Sequence, residues 1–521
     1  MTRRQKSDDC VVPEGRRKTS PIGESQGGKA VTVEEAETQL GLFGETAETS
    51  QETPRNAASP LVVKRSGEPK STSGTSTEQP APMTMEEIAD ETNLKKAFLK
   101  VASNRGAPGP DRQSIDDIRS DVDRCLSRVS RALLEGNYRP GEIRRVWIPK
   151  ASGGQRALGI PNVVDRIVQQ AVHQVLGPHF EKEFHDGSHG FRSGRSCHTA
   201  IKQAKQHVET GHEWVVDIDL EKFFDRVNHD RLMWRLEQYV ADQRVLSLIR
   251  RMLVANVVMP DGVVVSNDEG TPQGGPLSPL LSNIVLDELD RELDQRGHRF
   301  VRYADDCKVY VRSERSGHRV MGSLTRYIEK RLKLKVNRGK SAVAKAHGNK
   351  FLGLQLYKLK TGEVCVRVAE QSWCSLRAKL KALTPRNWGR SVDVCIDRVN
   401  AYLRGWLGHF AICDDKQRWR LKREDGHLRR RLRAMVLADW GPKRHILRQL
   451  IRLGVPAQLA RYDVYSRCRR IWGLSHVRAI DRGLNVDYFD QRGLRSLHDT
   501  WRRHHERIWN IGPKQLALPL G

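Results

Sequence analysis

The chain has 521 residues, with 90 Lys and Arg against 63 Asp and Glu, for a formal charge of +27. That length supports several cored domains and excludes a mini-protein stapled by disulfides. Nine cysteines without a single C-x-x-C pair indicate neither a zinc ribbon nor a disulfide framework.

With no apolar run ahead of a small-residue cleavage site and no membrane-length apolar stretch, the expectation is a soluble, cytoplasmic protein in a reducing interior. The charge is uneven: 11 basic and 12 acidic residues in 1–85, 47 and 38 in 86–375, and 32 and 13 in 376–521. Such an excess predicts a polyanionic partner, met chiefly by the last part.

Residues 1–85 are rich in Gly, Ser, Thr, Glu and Pro and read as a disordered, low-complexity extension. A globular pattern follows, with Ile88, Leu94, Ala97 and Phe98 on one helix face before the breaker loop Asn104–Gly109. Val146–Pro149 reads as a strand entering a Gly153-Gly154 turn and leaving through Arg156–Ile160. A helix is predicted after Pro161, ending at Gly177. Val215–Leu220 reads as a buried strand, Leu281–Leu293 as a helix, and Phe300–Val311 as two strands around a tight turn. Beyond about residue 375 strand signals fade into Arg-rich helices such as His427–Leu437. The mixture without strict βαβ alternation predicts an α+β fold.

Two segments carry chemistry. Asp217, Asp219 and Asp225 sit in or just past the apolar run starting at Trp214, and Asp305-Asp306 interrupts two β-prone runs. Unpaired carboxylates are costly in such surroundings, so both segments call for a cation. Mg²⁺ fits, being oxygen-seeking and commonly held by one or two carboxylates plus substrate phosphates.

Tyr303-Ala304-Asp305-Asp306 resembles the active-site hairpin of reverse transcriptases, and Asp219-x-x-x-x-Phe224-Asp225 resembles the other catalytic strand of the right-handed polymerase palm. Between them, Gly270–Leu280 is similar to that family's template- and nucleotide-positioning loop. Ile148–Lys150, Arg156–Pro161, His189–Cys197, Leu334–Ser341 and Phe351–Gly353 extend the collinear match. Asn104–Gly109, Ala304 and the segment Asn400–Phe410, with His409 where Tyr is common, select the group II intron-encoded reverse transcriptase/maturase branch.

The resemblance implies fingers and palm over 86–375 with an antiparallel catalytic sheet, a helical thumb/maturase domain over 376–475, and a basic DNA-binding-like tail over 476–521. It implies Asp219, Asp305 and Asp306 as catalytic metal ligands with Leu220 in the metal set, and Mg²⁺ as cofactor. Lys150 and Arg156 would meet the triphosphate, Gln273 the template base pair, and Phe224 the incoming sugar, favouring deoxynucleotides. Lys340 would give a proton to departing pyrophosphate.

The expected activity is RNA-directed DNA synthesis joined to maturase help in splicing. Expected partners are group II intron RNA, a DNA target or primer and deoxynucleoside triphosphates, without a membrane. A catalytically idle RNA-binding splicing cofactor and a host-domesticated or defence-associated relative are the alternatives. Paired Cys and His spacing of the endonuclease type is absent before Gly521, so intrinsic target nicking is not expected.

Overall fold

The computed structural model describes residues 83–149, 153–385, 389–467 and 470–509; Lys150 and Trp388 lie outside the described residues. Its strands are, in chain order, β1 (Ile143–Pro149), β2 (Gln155–Ile160), β3 (Trp214–Ile218), β4 (Val257–Val258), β5 (Val264–Val265), β6 (Arg299–Tyr303), β7 (Asp306–Val311), β8 (Ala342–Lys345), β9 (Lys350–Phe351), β10 (Leu354–Lys358) and β11 (Val364–Val368). They form three sheets, ordered β2-β1-β4-β5, β6-β7-β3-β8 and β11-β10-β9. Among the described residues everything after β11 is helix and connection, which matches the expected α+β class with a helical C-terminal region.

The β6-β7-β3-β8 sheet is antiparallel throughout and buried on both faces. Its side chains alternate between two cores, as a period of two requires. Val216, Ile218, Phe300, Cys307, Val309 and Val311 join a core built with the N-terminal helices and Ser278–Gln295. Val215, Val301 and Tyr310 join a second core made mostly by residues 351–501. One sheet therefore serves as common wall to both halves of the molecule.

Met83 and Met85 already lie in the first core, where Thr84 caps the helix Met85–Ala89. The helix predicted to stop at Gly177 instead runs Val163–Glu183, through Pro178. Its apolar face continues past the glycine: Phe180 is buried, and its ring lies 5.2 Å from that of Tyr239 and 6.3 Å from that of Phe184. Burial of that face outweighs the hydrogen bond Pro178 cannot make. Among the described residues no helix is long and apolar enough to cross a membrane.

Candidate active site

β6 and β7 are joined by only two residues, Ala304 and Asp305, because Tyr303 pairs with Asp306. Ala304 has φ +56°, a conformation that costs an L-residue about 1–2 kcal/mol. A buried network holds it there. The fully buried Arg302 donates from Nε and Nη2 to the Asp290 carboxylate at 2.8 and 2.5 Å, and from Nη1 to Asn283 Oδ1 at 2.9 Å and the Ala304 carbonyl at 3.0 Å. Although burial opposes it, the Asp290 carboxylate keeps this guanidinium charged, above its ordinary pKa.

From the other side, the His189 N–H donates to the Arg302 carbonyl and Asn283 Nδ2 donates to the Gly190 carbonyl, both at 2.8 Å. A Cβ on Gly190 would collide with the Ala304 backbone nitrogen, so only glycine lets this loop lie against the turn.

Asp219 follows β3 directly. Leu220 forms an antiparallel bridge with Val336, made by Glu221 N–H donating to the Lys335 carbonyl and Asn337 N–H donating to the Asp219 carbonyl, both at 2.8 Å. In that pattern the flanking residues supply the bonds, so the Leu220 carbonyl faces the opposite edge, toward the β7 side. Asp219 N–H donates to Ser341 Oγ at 3.0 Å. The segment Leu334–Ser341 is thus a brace for the Asp219 backbone, and Lys340 stands exposed on its turn.

Asp219 and Asp305 come within electrostatic reach of each other. Burial pushes the Asp305 pKa up, the Asp219 charge adds to that, and Arg156 opposes it. Asp306 is engaged differently. It shares Lys308 with Asp217: Lys308 Nζ lies 2.6 Å from Asp217 and 3.6 Å from Asp306, and is itself buried. Burial first, then Asp217 and Asp305, push Asp306 up to about 6 against the pull of Lys308. Among the described residues no three His, Cys, Asp or Glu side chains are gathered as a metal-ligand group. The Asp219 and Asp305 carboxylates and the Leu220 carbonyl are hard oxygen donors of the kind Mg²⁺ takes, an ion that normally completes its shell with water and phosphate.

The Gly270–Gly275 loop bridges this site to β2. Thr271 N–H donates to the Phe224 carbonyl at 2.6 Å, and Gly159 N–H to the Gln273 carbonyl at 2.6 Å. Gly274, at φ +133°, lies so close to the Gly159 carbonyl that no Cβ fits. Arg156 Nε donates to Gln273 Oε1 at 2.8 Å, so two side chains singled out separately in the sequence are directly bonded. Phe224 is 7% exposed and packs edge-on to Phe223, with ring centroids 5.2 Å apart.

Residues 148–356 match the family model described as reverse transcriptase (RNA-dependent DNA polymerase), and residues 374–451 match the group II intron, maturase-specific domain. The chain thus carries, one after the other, a match to reverse transcriptases and a match to the group II intron maturase-specific domain. It is 39% identical over 209 residues to Protein YkfC of Escherichia coli, a match spanning 39% of this chain and 55% of that one. It is 36% identical over 208 residues to the group II intron-encoded protein LtrA of Lactococcus lactis subsp. cremoris, spanning 40% of this chain and 34% of LtrA. The chain therefore covers about half or less of the length of these relatives.

In the maturase-specific part, His409 Nε2 is bonded to the Leu352 carbonyl at 2.8 Å, tying the helix Val392–Phe410 to the palm side. Asn400 Nδ2 donates to the Gly493 carbonyl at 2.8 Å and its Oδ1 accepts from Arg495 N–H at 3.0 Å.

Sequence reasoning missed the supporting roles of Arg302, Asp290, Asn283, Lys308 and Ser341. A signal existed for two of them, since Arg302 and Lys308 are cations inside apolar strands and each needs a buried partner. The partners themselves are far away in the chain or on another element.

Proposed function

We propose that this chain adds deoxynucleotides to a primer 3′ end under the direction of an RNA template, and that its helical C-terminal region holds group II intron RNA in a splicing-competent fold. The observation that carries the reading is the electrostatic proximity of Asp219, just past β3, and Asp305, in the β6–β7 turn, at one end of one sheet. In this reading residues 86–375 are fingers and palm, 376–475 the thumb/maturase domain and 476–521 a DNA-binding tail.

Asp219, Asp305 and the Leu220 carbonyl would hold Mg²⁺, with Asp306 more peripheral because Lys308 already engages it. A divalent ion held by these residues would supply charge that favours deprotonation of the attacking hydroxyl and offsets the charge developing on phosphorus. Arg156, with Lys150, meets the triphosphate, where fixed cations stabilise the transition state. The Arg156–Gln273 bond orients Gln273 toward the templated base pair. Phe224 forms a rigid floor under the sugar and excludes a 2′-hydroxyl. Lys340 supplies a proton to departing pyrophosphate from the turn that also braces Asp219.

The test is primer extension on poly(rA)/oligo(dT) with Mg²⁺. The wild-type chain extends; Asp305→Ala loses at least about a thousandfold in rate, the scale expected when electrostatic stabilisation is removed, while its RNA affinity is kept. Extension surviving in Asp305→Ala discards the site. An inactive wild type that still binds RNA favours the idle splicing cofactor.

A further inference from the structure

The helix Arg418–Trp440 turns Glu424 and Asp425 inward and leaves Arg418, Lys422 and Arg423 exposed, while Arg431 and Arg433 bond within the fold. Its acids before the last turn are Glu424, paired with Arg377 at 2.7 Å, and Asp425, which accepts from the Leu497 and His498 N–H groups; both are buried. At 100° per residue, Trp419, Gly426, Arg430 and Arg423 fall within a stripe about 60° wide, opposite buried Leu421, Leu428 and Leu432.

Two aromatic-guanidinium pairs mark the ends of the stripe. Trp419 is 54% exposed, with the Arg420 and Arg423 guanidinium carbons 5.4 and 5.6 Å from its ring centroid. Three turns on, Arg430 lies 4.2 Å from the ring centroid of Trp472. Midway sits Gly426, a poor choice inside a helix. Among the described residues nothing demands it, since a Cβ there would meet no atom within 4 Å. A helix interior that gives up stability without an internal steric reason fits close approach by something outside the chain.

We propose that this stripe is a binding track for an unpaired stretch of RNA, with one base stacked on Trp419, another against the Trp472 edge of the track, and the sugar–phosphate backbone crossing at Gly426 between Arg423 and Arg430. The occupant follows from the chemistry: the exposed Arg423 guanidinium suits phosphates, and the half-exposed indole of Trp419 suits a base that is not already stacked in a duplex. The inference rests on the RNA-binding part of the proposed function and locates it on one helix face.

The probe is a mixed-sequence single-stranded RNA oligonucleotide, compared with a duplex RNA of equal length, using the full chain and fluorescence anisotropy. Trp419→Ala is expected to weaken single-strand binding about tenfold or more, the scale of one lost base stack, with a much smaller effect on duplex, and Trp419→Phe to keep most of the affinity. Gly426→Ala separates this from a structural effect: it should raise Tm, by a few degrees at most, while weakening single-strand binding several-fold.

Unchanged affinity in both variants while the wild type binds overturns the track but leaves the proposed function standing. Equal losses on single strand and duplex overturn the stacking and leave only phosphate attraction. A wild type with no affinity for either RNA overturns both readings.

Discussion

The palm sheet and the helix Arg418–Trp440 handle their carboxylates in opposite ways. At the sheet, Asp217, Asp219, Asp305 and Asp306 crowd one end, where Lys308 and Arg302 are the buried cations, and burial first and neighbouring acids second push Asp305 and Asp306 up. Along the helix, Glu424 and Asp425 are consumed by internal partners, and the surface is left cationic. In the proposed function a divalent cation would answer the first arrangement and a polyanion the second. Charge excess alone, +27 for the chain, distinguishes neither site; what matters is which charges find partners inside the fold.

Three substitutions or conditions put pressure on that contrast. The largest effect is expected at Arg302, where the palm does pair its charge. Arg302→Leu strands Asp290 in a fully buried site and should cost about 3–5 kcal/mol, read as a drop in the urea midpoint at unchanged m-value. The double variant Arg302→Leu, Asp290→Leu should recover much of the stability without restoring extension, because the support of the Ala304 carbonyl is lost in both. Equal activity in the double variant and the wild type would show that the hairpin does not depend on this network.

Ser341→Ala comes next. It removes the hydroxyl that accepts from Asp219 N–H and should lower kcat roughly tenfold, about 1.4 kcal/mol or one charge-independent hydrogen bond, with the nucleotide KM little changed and activity restored by Ser341→Thr. A purely structural role would change Tm without this split between kcat and KM.

The smallest effect is in pH. Asp306, pushed up to about 6, is a carboxyl whose neutral form the fold favours. The stability this contributes is full below the ordinary carboxylate pKa and fades as pH rises through about 6. In EDTA, the melting temperature of the wild type should therefore fall slightly more between pH 5 and 7 than that of Asp306→Asn. Identical pH dependence in the two would remove Asp306 from the charge cluster.

Asp219 and Asp305, the acids proposed to be catalytic, stood out because a carboxylate beside an apolar strand is anomalous wherever it stands, and two such anomalies come in the order of a known motif. The strands around them were legible for the same reason of period and apolarity. The end of the helix Val163–Glu183 was not, since Gly177 and Pro178 are local stop signals and the burial of Phe180 that overrides them is tertiary. The Arg302–Asp290–Asn283 network was hidden because a helix carries two of its members, and Asp290 there looks like any surface acid until the helix is docked.

Sequence boundaries near residue 375 also gave no sign that Val215, Val301 and Tyr310 share a core with Leu403, Trp406 and Trp501. For that reason, ending the chain just before Leu376, the obvious way to ask whether the basic region binds RNA, would strip much of one face of the palm sheet. Point changes on the exposed helix face ask the question without that confusion.

The shared wall has a consequence for the chain as it leaves the ribosome. Once β8 has emerged the sheet can pair, yet one side of it, met early by the helix Cys197–Glu209, is not fully covered until Trp501 arrives, on the order of ten seconds or more later at ordinary elongation speeds. During that interval the nascent polymerase half presents a sticky apolar flank, so synthesis should be more prone to aggregation and more dependent on chaperones when translation stalls between those two points than when it stalls before β3.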